Sequence, residues 1–221
     1  MSTRQPFKYP PQLVVDLFRL AGYAISKLAW FIRYEGLENI PRANAGGLLV
    51  VSNHQTYIDP VWIVLPMRRK LRFMAFNKAF EWPMIGDLIS YLGAFSVAHD
   101  GPITPSTIKT ALGALRDGAA LIIFPEGGRS KVDGEMAPFR SGAINLATRA
   151  GVPILPVTIV GGNRIWPQKQ KYPNLFRRVR VIYHPVIKVP FIEGNVKKTL
   201  AEESTLKLRE IIARNQLSQF D

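Results

Sequence analysis

Short apolar runs alternate with amphipathic stretches along most of the chain. The apolar runs predict strands, and the amphipathic stretches predict helices. The apolar runs are typical of buried strands and lie at 48–52, 71–76, 94–98, 120–124, 153–160, 179–183 and 186–189. The helical patterns lie at 60–65, 83–92, 106–116, 141–150 and 196–215. Strands separated by helices indicate an α/β domain with a mostly parallel central sheet flanked by helices. Ligands of such sheets bind at the carboxyl ends of the strands.

The N-terminal part of the chain has the pattern of an amphipathic helix. Residues 12–33 are predicted to form one long helix or a bent pair of helices with Gly22 at the bend, and their polar residues fall within about a third of the helical wheel. Charged residues inside this stretch disfavour a membrane span. The helix either covers the domain core or lies in a membrane interface, and the aromatic side chains near its end favour the interface. We therefore predict an N-terminal amphipathic membrane-interface segment over 1–40 and one further domain over 41–221.

The composition adds an excess of positive charge. The 221 residues include 29 Lys and Arg against 16 Asp and Glu, which gives a formal net charge of +13. A hydrophobic content of 47% excludes a disordered chain, and the absence of cysteine excludes disulfides and a cysteine nucleophile. The charge fits nucleic acid, an anionic membrane surface or an anionic small substrate. No helix-turn-helix, zinc-finger spacing or aromatic single-strand motif is present, so we expect no nucleic-acid partner.

Two clusters of basic residues remain open in their interpretation. One lies at 68–72, and the other surrounds Trp166 and Tyr172 over 169–180. Each fits a solvated face, a lipid-headgroup surface, or a contact for coenzyme A phosphates or an acidic carrier protein. His184 stands in an apolar strand pattern and is expected to be structural. Residues 1–11 do not have the pattern of a signal peptide, so we expect the protein to stay on the cytoplasmic side.

The strongest chemical candidates follow the first predicted strand. His54 and Asp59 lie just past its carboxyl end with four residues between them. A neutral imidazole can take a proton from a hydroxyl, and a carboxylate on its other ring nitrogen fixes the tautomer. Positions five apart diverge on a helix, so this pairing requires a turn. The spacing alone also fits a helix-capping Asp59 beside a surface His54.

A second candidate follows the strand at 120–124. Its sequence FPEGGRS, at 124–130, has two glycines that let main-chain N–H groups approach an anion, and Arg129 can bind a phosphate through two donors. Ser130 adds a hydroxyl. The same loop also fits a tight turn with a surface pair between Glu126 and Arg129.

Taken together, four ordered stretches of the chain resemble the conserved blocks of the glycerolipid acyltransferases. They are NHQTYID at 53–59, GAFSV at 93–97, FPEGGRS at 124–130 and VPILPV at 152–157. The order and spacing are similar to those of the bacterial 1-acylglycerol-3-phosphate acyltransferases. The resemblance covers about residues 40–160, more than half of the chain, and it implies the glycerol-3-phosphate acyltransferase-like fold.

The resemblance also implies a reaction. A fatty acyl group moves from acyl-CoA or acyl carrier protein to the free hydroxyl of 1-acylglycerol-3-phosphate, giving phosphatidic acid. His54 is then the general base and Asp59 orients it. The acceptor phosphate is assigned to the third block, with Glu126, Gly127, Gly128, Arg129 and Ser130 as its residues. No metal and no cofactor beyond the acyl donor is expected.

The same resemblance implies the partners and the location. The partners are the lysophospholipid acceptor, the acyl-CoA or acyl carrier protein donor, and an anionic membrane surface. The protein is expected on the cytoplasmic face of the cell membrane, as a peripheral or monotopic protein. Further contacts to acceptor or donor are predicted for Asn53, Lys78, His99 and Arg140.

Two positions depart from the family pattern. His99 stands where the second block usually has arginine, and Gly128 where the third block usually has threonine. A histidine is only partly protonated at neutral pH, so it is a weaker phosphate anchor than arginine. An acceptor other than 1-acylglycerol-3-phosphate, such as another lysophospholipid, a glycolipid or a hydroxylated lipid, is therefore the alternative with the same chemistry.

Overall fold

A seven-stranded sheet forms the centre of the protein. The computed structural model describes residues 9–76, 80–83, 85–97, 104–130, 134–194, 196–214 and 216. Its strands are β1 (Arg33–Glu35), β2 (Leu48–Ser52), β3 (Leu71–Phe76), β4 (Ala94–Val97), β5 (Ala120–Ile123), β6 (Ile154–Val160) and β7 (Arg180–Tyr183). Its helices are α1 (Gln12–Trp30), α2 (Asp59–Val64), α3 (Ile85–Tyr91), α4 (Pro105–Arg116), α5 (Gly142–Ala150), α6 (Gly162–Ile165) and α7 (Lys198–Arg214).

The sheet is mostly parallel, and this confirms the predicted fold class. Its strand order is β1-β7-β6-β2-β5-β3-β4, and within it only β6 and β7 pair antiparallel. All five residues of β2 are buried, because the strand lies in the middle of the sheet with helices on both faces. The centre of the sheet is therefore rigid, and the loops that leave it are positioned by it.

The two faces of the sheet support two apolar layers. Leu48 and Val50 point into a layer that contains the end of α1 and the apolar residues Trp62 and Ile63 of α2. Leu49 and Val51, on the opposite face, pack against residues of α4, α5 and α7. Because successive residues of a strand point to opposite faces, one apolar run supplies both layers.

The N-terminal amphipathic helix is present as α1, a single long helix and not the alternative of a bent pair with Gly22 at the bend. The helix runs without interruption to Trp30 and ends where Phe31 adopts a positive φ of 43°. Gly22 instead allows close packing, since a Cβ there would lie 2.8 Å from Cδ2 of Leu65. Strand β1 follows at once and pairs with β7 at the edge of the sheet.

The wide apolar stripe of α1 does not face the body of the protein, and the inward face is a narrow mixed one that includes Val15, Arg19, Ser26 and Trp30. Arg19 Nε donates to the carbonyl of Leu65 at 2.8 Å, and Ser26 is buried. The apolar stripe of α1 points outward, with exposures of 72% at Leu13, 58% at Leu17, 68% at Leu20 and 74% at Leu28. This contradicts the interpretation in which the stripe covers the domain core. Among the described residues, no helix is long and apolar enough to cross a membrane.

One predicted strand is wrong. Residues 186–189 form only a single bridge, between Ile187 and Ile154, rather than a ladder. Pro185 and Pro190 flank this stretch, and proline has no N–H group to donate to a ladder. The other predicted strands and helices agree with the structure to within about two residues at each end, the usual uncertainty of such boundaries.

Candidate active site

The two motif loops meet at one edge of the sheet. Strands β2 and β5 are parallel neighbours, so the loops that follow them leave from the same edge. His54 lies two residues after β2, and residues 124–130 follow β5 directly. The structure therefore brings together the two candidate motifs that the sequence placed more than 60 residues apart.

The predicted contact between His54 and Asp59 is present. The Nδ1 atom of His54 lies 2.9 Å from Oδ2 of Asp59, and residues 53–58 make the turn that this contact requires. Because the carboxylate is an acceptor, Nδ1 carries the proton and Nε2 is left as the basic nitrogen. The His54 ring stacks on Phe124 at a centroid distance of 4.0 Å, which fixes its plane.

Asp59 is fully buried and accepts the hydrogen bonds that hold this turn together. Besides the imidazole, its Oδ2 accepts the main-chain N–H groups of Gln55 and Thr56, and its Oδ1 accepts the Thr56 hydroxyl at 2.7 Å. Four donors to one carboxylate determine its position. Asp59 also stands in the first turn of α2, where the helix dipole favours negative charge.

The loop after β5 holds the main chain of His54 from both sides. One carboxylate oxygen of Glu126 accepts the His54 N–H at 2.7 Å. Ser130 donates twice to the His54 carbonyl, from its N–H at 2.6 Å and from its hydroxyl at 2.8 Å. The peptide groups that position the imidazole are therefore fixed by a loop on the neighbouring strand.

Glu126 and Ser130 consequently have partners other than the predicted phosphate. The second carboxylate oxygen of Glu126 accepts the N–H of Ala137 at 2.8 Å. Burial raises the pKa of Glu126, and the bonds from His54 and Ala137 oppose that rise. A carboxylate accepts hydrogen bonds and repels a phosphate, so its place here is as an anchor for two main-chain N–H groups.

Two main-chain N–H groups of the loop at 124–130 can still donate a hydrogen bond to a ligand. The N–H of Gly127 donates to the Phe124 carbonyl, and the N–H of Ser130 donates to the His54 carbonyl. In the part of the chain that the structure describes, the N–H groups of Gly128 and Arg129 have no acceptor. Gly127 has a φ of +75°, a conformation that favours glycine and lets the loop turn.

Arg129 lies over an aromatic side chain of the first motif. Its guanidinium carbon is 3.8 Å from the centre of the Tyr57 ring, within the range of a cation–π contact. Tyr57 also makes edge contacts with Trp82 and Trp166, at 5.5 and 5.4 Å between centroids. Nη1 of Arg129 donates to the Trp166 carbonyl at 3.5 Å. The cluster holds the guanidinium beside the His54 turn, where its other N–H groups can bind an anion.

The remaining predicted contacts have different placements. Arg140 lies against the same loop, since a Cβ at Gly127 would fall 2.9 Å from its guanidinium carbon. Asn53 is fully buried, and its side-chain amide exchanges two hydrogen bonds with the main chain of Ile159. The predicted substrate contact does not fit Asn53, because both ends of its amide are already paired. Lys78 and His99 lie outside the described residues.

Sequence reasoning missed three residues of the first motif. The Thr56 hydroxyl donates to the Asp59 carboxylate, and Gln55 Oε1 accepts the N–H of Gly162 at 2.8 Å. The Tyr57 ring makes the cation–π contact with Arg129. These residues could have been predicted as site residues from the sequence, because they lie between His54 and Asp59. In the described ranges, no group of three His, Cys, Asp or Glu side chains lies close enough together to bind a metal ion. That the protein needs no cofactor beyond the acyl donor stays a prediction.

The comparisons with known proteins decide the family. The family model described as Acyltransferase matches residues 31–160, which include all four motif stretches and the sheet from β2 to β6. The chain belongs to the acyltransferase family. The turn with His54 and Asp59 is therefore the candidate active site of an acyltransferase-family protein.

Relatives of this acyltransferase-family chain share one name. It is 32% identical to the chloroplastic 1-acyl-sn-glycerol-3-phosphate acyltransferase BAT2 of Brassica napus, over 80% of this chain and 49% of that protein. It is 29% identical to the Pseudomonas aeruginosa 1-acyl-sn-glycerol-3-phosphate acyltransferase, over 89% of this chain and 74% of that protein. The chain spans about half the length of the plant relatives that it matches.

A solved structure extends the similarity to the fold. The crystal structure of the 1-acyl-sn-glycerophosphate (LPA) acyltransferase PlsC from Thermotoga maritima matches with a TM-score of 0.70 and 26% sequence identity. The match covers 95% of this chain and 81% of that chain. The arrangement of sheet and helices is therefore one that the acyltransferase family uses.

Proposed function

We propose that the protein transfers a fatty acyl group from an acyl thioester to the free hydroxyl of 1-acylglycerol-3-phosphate, giving phosphatidic acid. The donor is acyl-CoA or acyl carrier protein. The observation that carries the proposal is the 2.9 Å contact between His54 Nδ1 and Asp59 Oδ2, which leaves Nε2 as a base. The names of the relatives support the choice of acceptor.

The chemistry proceeds in one displacement. The acceptor hydroxyl gives its proton to Nε2 of His54 as its oxygen attacks the thioester carbonyl carbon. A carbon–oxygen bond forms, the carbon–sulfur bond breaks, and the leaving thiolate takes the proton from the imidazolium. Asp59 stabilises that imidazolium through Nδ1 and keeps the ring oriented. No cysteine is present in the chain, and none is needed, because the acyl group passes directly from sulfur to the acceptor oxygen.

The acceptor phosphate is assigned to Arg129 together with the N–H groups of Gly128 and Arg129. These donors lie in the loop that also fixes the His54 main chain, so binding of the phosphate places the acceptor beside the base. Arg140 adds a second cation next to Gly127. Glu126 and Ser130 act through the main chain of His54, and we assign them no phosphate contact.

The outward-facing apolar stripe of α1 supports a location on the membrane. A helix that turns a stripe of large apolar side chains outward is typical of a protein that rests in a bilayer interface. Helix α1 packs on α2, which begins with Asp59, and Trp30 contacts Trp62 at 5.6 Å between centroids. The helix that carries Asp59 therefore packs directly on α1, the helix that we propose contacts the lipid. We propose peripheral or monotopic binding at the cytoplasmic face.

The test is a panel of acceptors and donors given to the purified protein. Lysophosphatidic acid, another lysophospholipid and a monoacylglycerol are each incubated with acyl-CoA or acyl carrier protein, and products are identified by mass spectrometry. The expected result is phosphatidic acid from lysophosphatidic acid and little product from the monoacylglycerol, which lacks the phosphate. Acylation of the monoacylglycerol at an equal rate overturns the phosphate assignment.

A second candidate function keeps the same chemistry with a different acceptor. His99, in the position where arginine is usual in the second block, favours it, because one phosphate donor is weaker. The same panel decides. Preference for another lysophospholipid, a glycolipid or a hydroxylated lipid supports this alternative, and strict dependence on lysophosphatidic acid rejects it.

A further inference from the structure

A loop next to the candidate active site exposes large apolar side chains, and its Gln168 Nε2 donates to the Arg129 carbonyl at 2.7 Å. It follows α6 and covers residues 167–178, here named the 167–178 loop. Within it, Tyr172 is 68% exposed, Leu175 53% and Phe176 70%. Three such side chains within five residues form a patch of the kind that marks an interaction surface.

The loop is held in place, so the exposure of these side chains is built into the fold. The indole Nε1 of Trp30 donates to the carbonyl of Asn174 at 2.9 Å, and the N–H of Phe176 donates to the carbonyl of Ala29 at 2.7 Å. Asn174 also bonds the main chain at the end of α6. Phe176 has a φ of +56°, an uncommon conformation for a bulky residue that its surroundings maintain.

The loop continues the apolar stripe of α1. The rings of Phe31 and Phe176 lie 6.4 Å apart between centroids, and Phe31 itself is 47% exposed. Leu28, one turn earlier on α1, is the most exposed apolar side chain of that helix. The outward stripe of α1 and the tip of the loop therefore form one apolar surface made of two separate chain segments.

Positive charge surrounds this apolar tip. The exposed basic residues of the loop are Lys169, Lys171, Arg177 and Arg178. The sequence contains no Asp or Glu between 136 and 192, so no acidic residue in this part of the chain offsets them. Aromatic and aliphatic tips with basic flanks match the boundary between the acyl chains and anionic headgroups of a bilayer.

We propose that the 167–178 loop is a second membrane-contact element that docks beside α1 on an anionic lipid bilayer. The axis of α1 and a second contact beside it define a plane, so the loop sets the orientation of the domain on the bilayer. Trp166, the residue just before the loop, contacts Tyr57, whose ring lies under the Arg129 guanidinium, and this links the loop to the phosphate-binding side of the site. The inference rests on the proposed membrane function. An acidic carrier protein would match the charge alone, whereas the protruding apolar tip and its continuity with α1 favour the bilayer.

Site-specific fluorescence tests the proposal, and the absence of native cysteine makes the labelling specific. Single variants Leu175→Cys in the loop, Leu17→Cys on α1 and Leu206→Cys on α7 are labelled with an environment-sensitive dye. Leu206 is the matched control, because it is 61% exposed on a helix that packs on the opposite face of the sheet. Vesicles of phosphatidylglycerol and phosphatidylcholine, with and without spin-labelled lipid, are then added. Quenching is expected at positions 17 and 175, with none at 206.

The outcomes separate this inference from the proposed function. Quenching at 17 without quenching at 175 overturns the loop proposal and leaves the membrane role of α1 intact. No quenching at either position overturns membrane docking as a whole. A response of the dye at 175 to acyl carrier protein, but not to vesicles, overturns the proposal in favour of a protein partner.

A charge variant gives a second measurement that does not need a dye. In the unlabelled protein, Arg177→Gln and Arg178→Gln are expected to weaken vesicle binding about fivefold for each replaced arginine. Zwitterionic vesicles should show little change. Binding to anionic vesicles that is unaltered in the double variant overturns the electrostatic part of the proposal.

Discussion

The carboxylate of Glu126 accepts the main-chain N–H of His54 at 2.7 Å, across 72 residues of sequence. With the two bonds from Ser130 to the His54 carbonyl, it fixes the peptide groups on both sides of the imidazole. The loop that carries Arg129 therefore also positions the base.

Replacement of Glu126 by Gln separates this positioning role from a phosphate contact. One main-chain N–H, of His54 or Ala137, then faces an amide NH₂ group and loses its acceptor. We expect the free energy of unfolding to fall by about 1–3 kcal/mol. We also expect kcat to fall while the KM for the acceptor changes little, because Glu126 does not touch the phosphate. Steady-state kinetics and denaturant unfolding check this, and a rise in KM at unchanged kcat would argue for direct phosphate contact.

Arg129 and Tyr57 should affect the KM for the acceptor. Loss of the guanidinium in Arg129→Gln removes charge-assisted hydrogen bonds, and we expect KM to rise about 10- to 100-fold. Tyr57→Leu removes the ring under the cation and should raise KM up to about fivefold, whereas Tyr57→Phe keeps the ring and should resemble the wild type. Activity on an acceptor without phosphate is the control. Equal losses on both acceptors would contradict the assignment.

The apolar stripe of α1 should matter for membrane binding and not for folding. Leu17 and Leu20 are 58% and 68% exposed, so their replacement by Ser should change the free energy of unfolding by no more than about 0.5 kcal/mol. Binding to anionic vesicles should fall more than about tenfold for each residue, because each leucine loses the burial of an apolar side chain. Flotation and denaturant unfolding of the same samples measure both quantities. Strong destabilisation with unchanged flotation would show that the stripe has a core role.

His184 predicts a pH dependence of stability that is independent of catalysis. Burial, with a contribution from Arg214, lowers the pKa of His184. The Thr158 hydroxyl donates to the Ile212 carbonyl at 2.8 Å, so His184 Nε2, at 2.7 Å, is the donor to that hydroxyl. The folded protein keeps the imidazole neutral, whereas the unfolded chain protonates it near its ordinary pKa of about 6.5.

The sign of this dependence follows from proton linkage. The contribution of His184 is fully present above the unfolded-state pKa and is lost as the pH falls toward the lowered folded-state pKa. The free energy of unfolding should therefore decrease below about pH 6.5, and less so in His184→Gln, which retains a donor to Thr158. Urea unfolding of both proteins between neutral and mildly acidic pH measures the difference. Identical slopes would exclude His184 as the cause.

Local patterns predicted most of the fold and the core of the site. The bounds of β2 agree with the apolar run at 48–52, since a central parallel strand is apolar on both faces and stands out in the sequence. The contact of His54 with Asp59 was predictable because it lies within one turn of seven residues. The edge that holds the site followed from the rule for parallel sheets.

Contacts between distant segments were beyond the reach of those patterns. The bonds of Glu126 to His54 and of Asn53 to Ile159 join neighbouring strands, and a motif gives residue types without their partners. Strand β1 has only three residues and no apolar run, so its pairing depends on β7. The side of α1 that faces outward was also undetermined, because a core helix and an interfacial helix have the same amphipathic pattern.

The most direct test of the central claim is the rate of phosphatidic acid formation by the wild type and by His54→Ala, at equal protein concentration. Lysophosphatidic acid and an acyl thioester are the substrates, and mass spectrometry of the lipid product is the measurement. If Nε2 of His54 is the general base, the wild type forms phosphatidic acid and the variant is slower by about 10²- to 10⁴-fold with an unchanged fold. A folded His54→Ala protein that forms phosphatidic acid at the wild-type rate would contradict the mechanism.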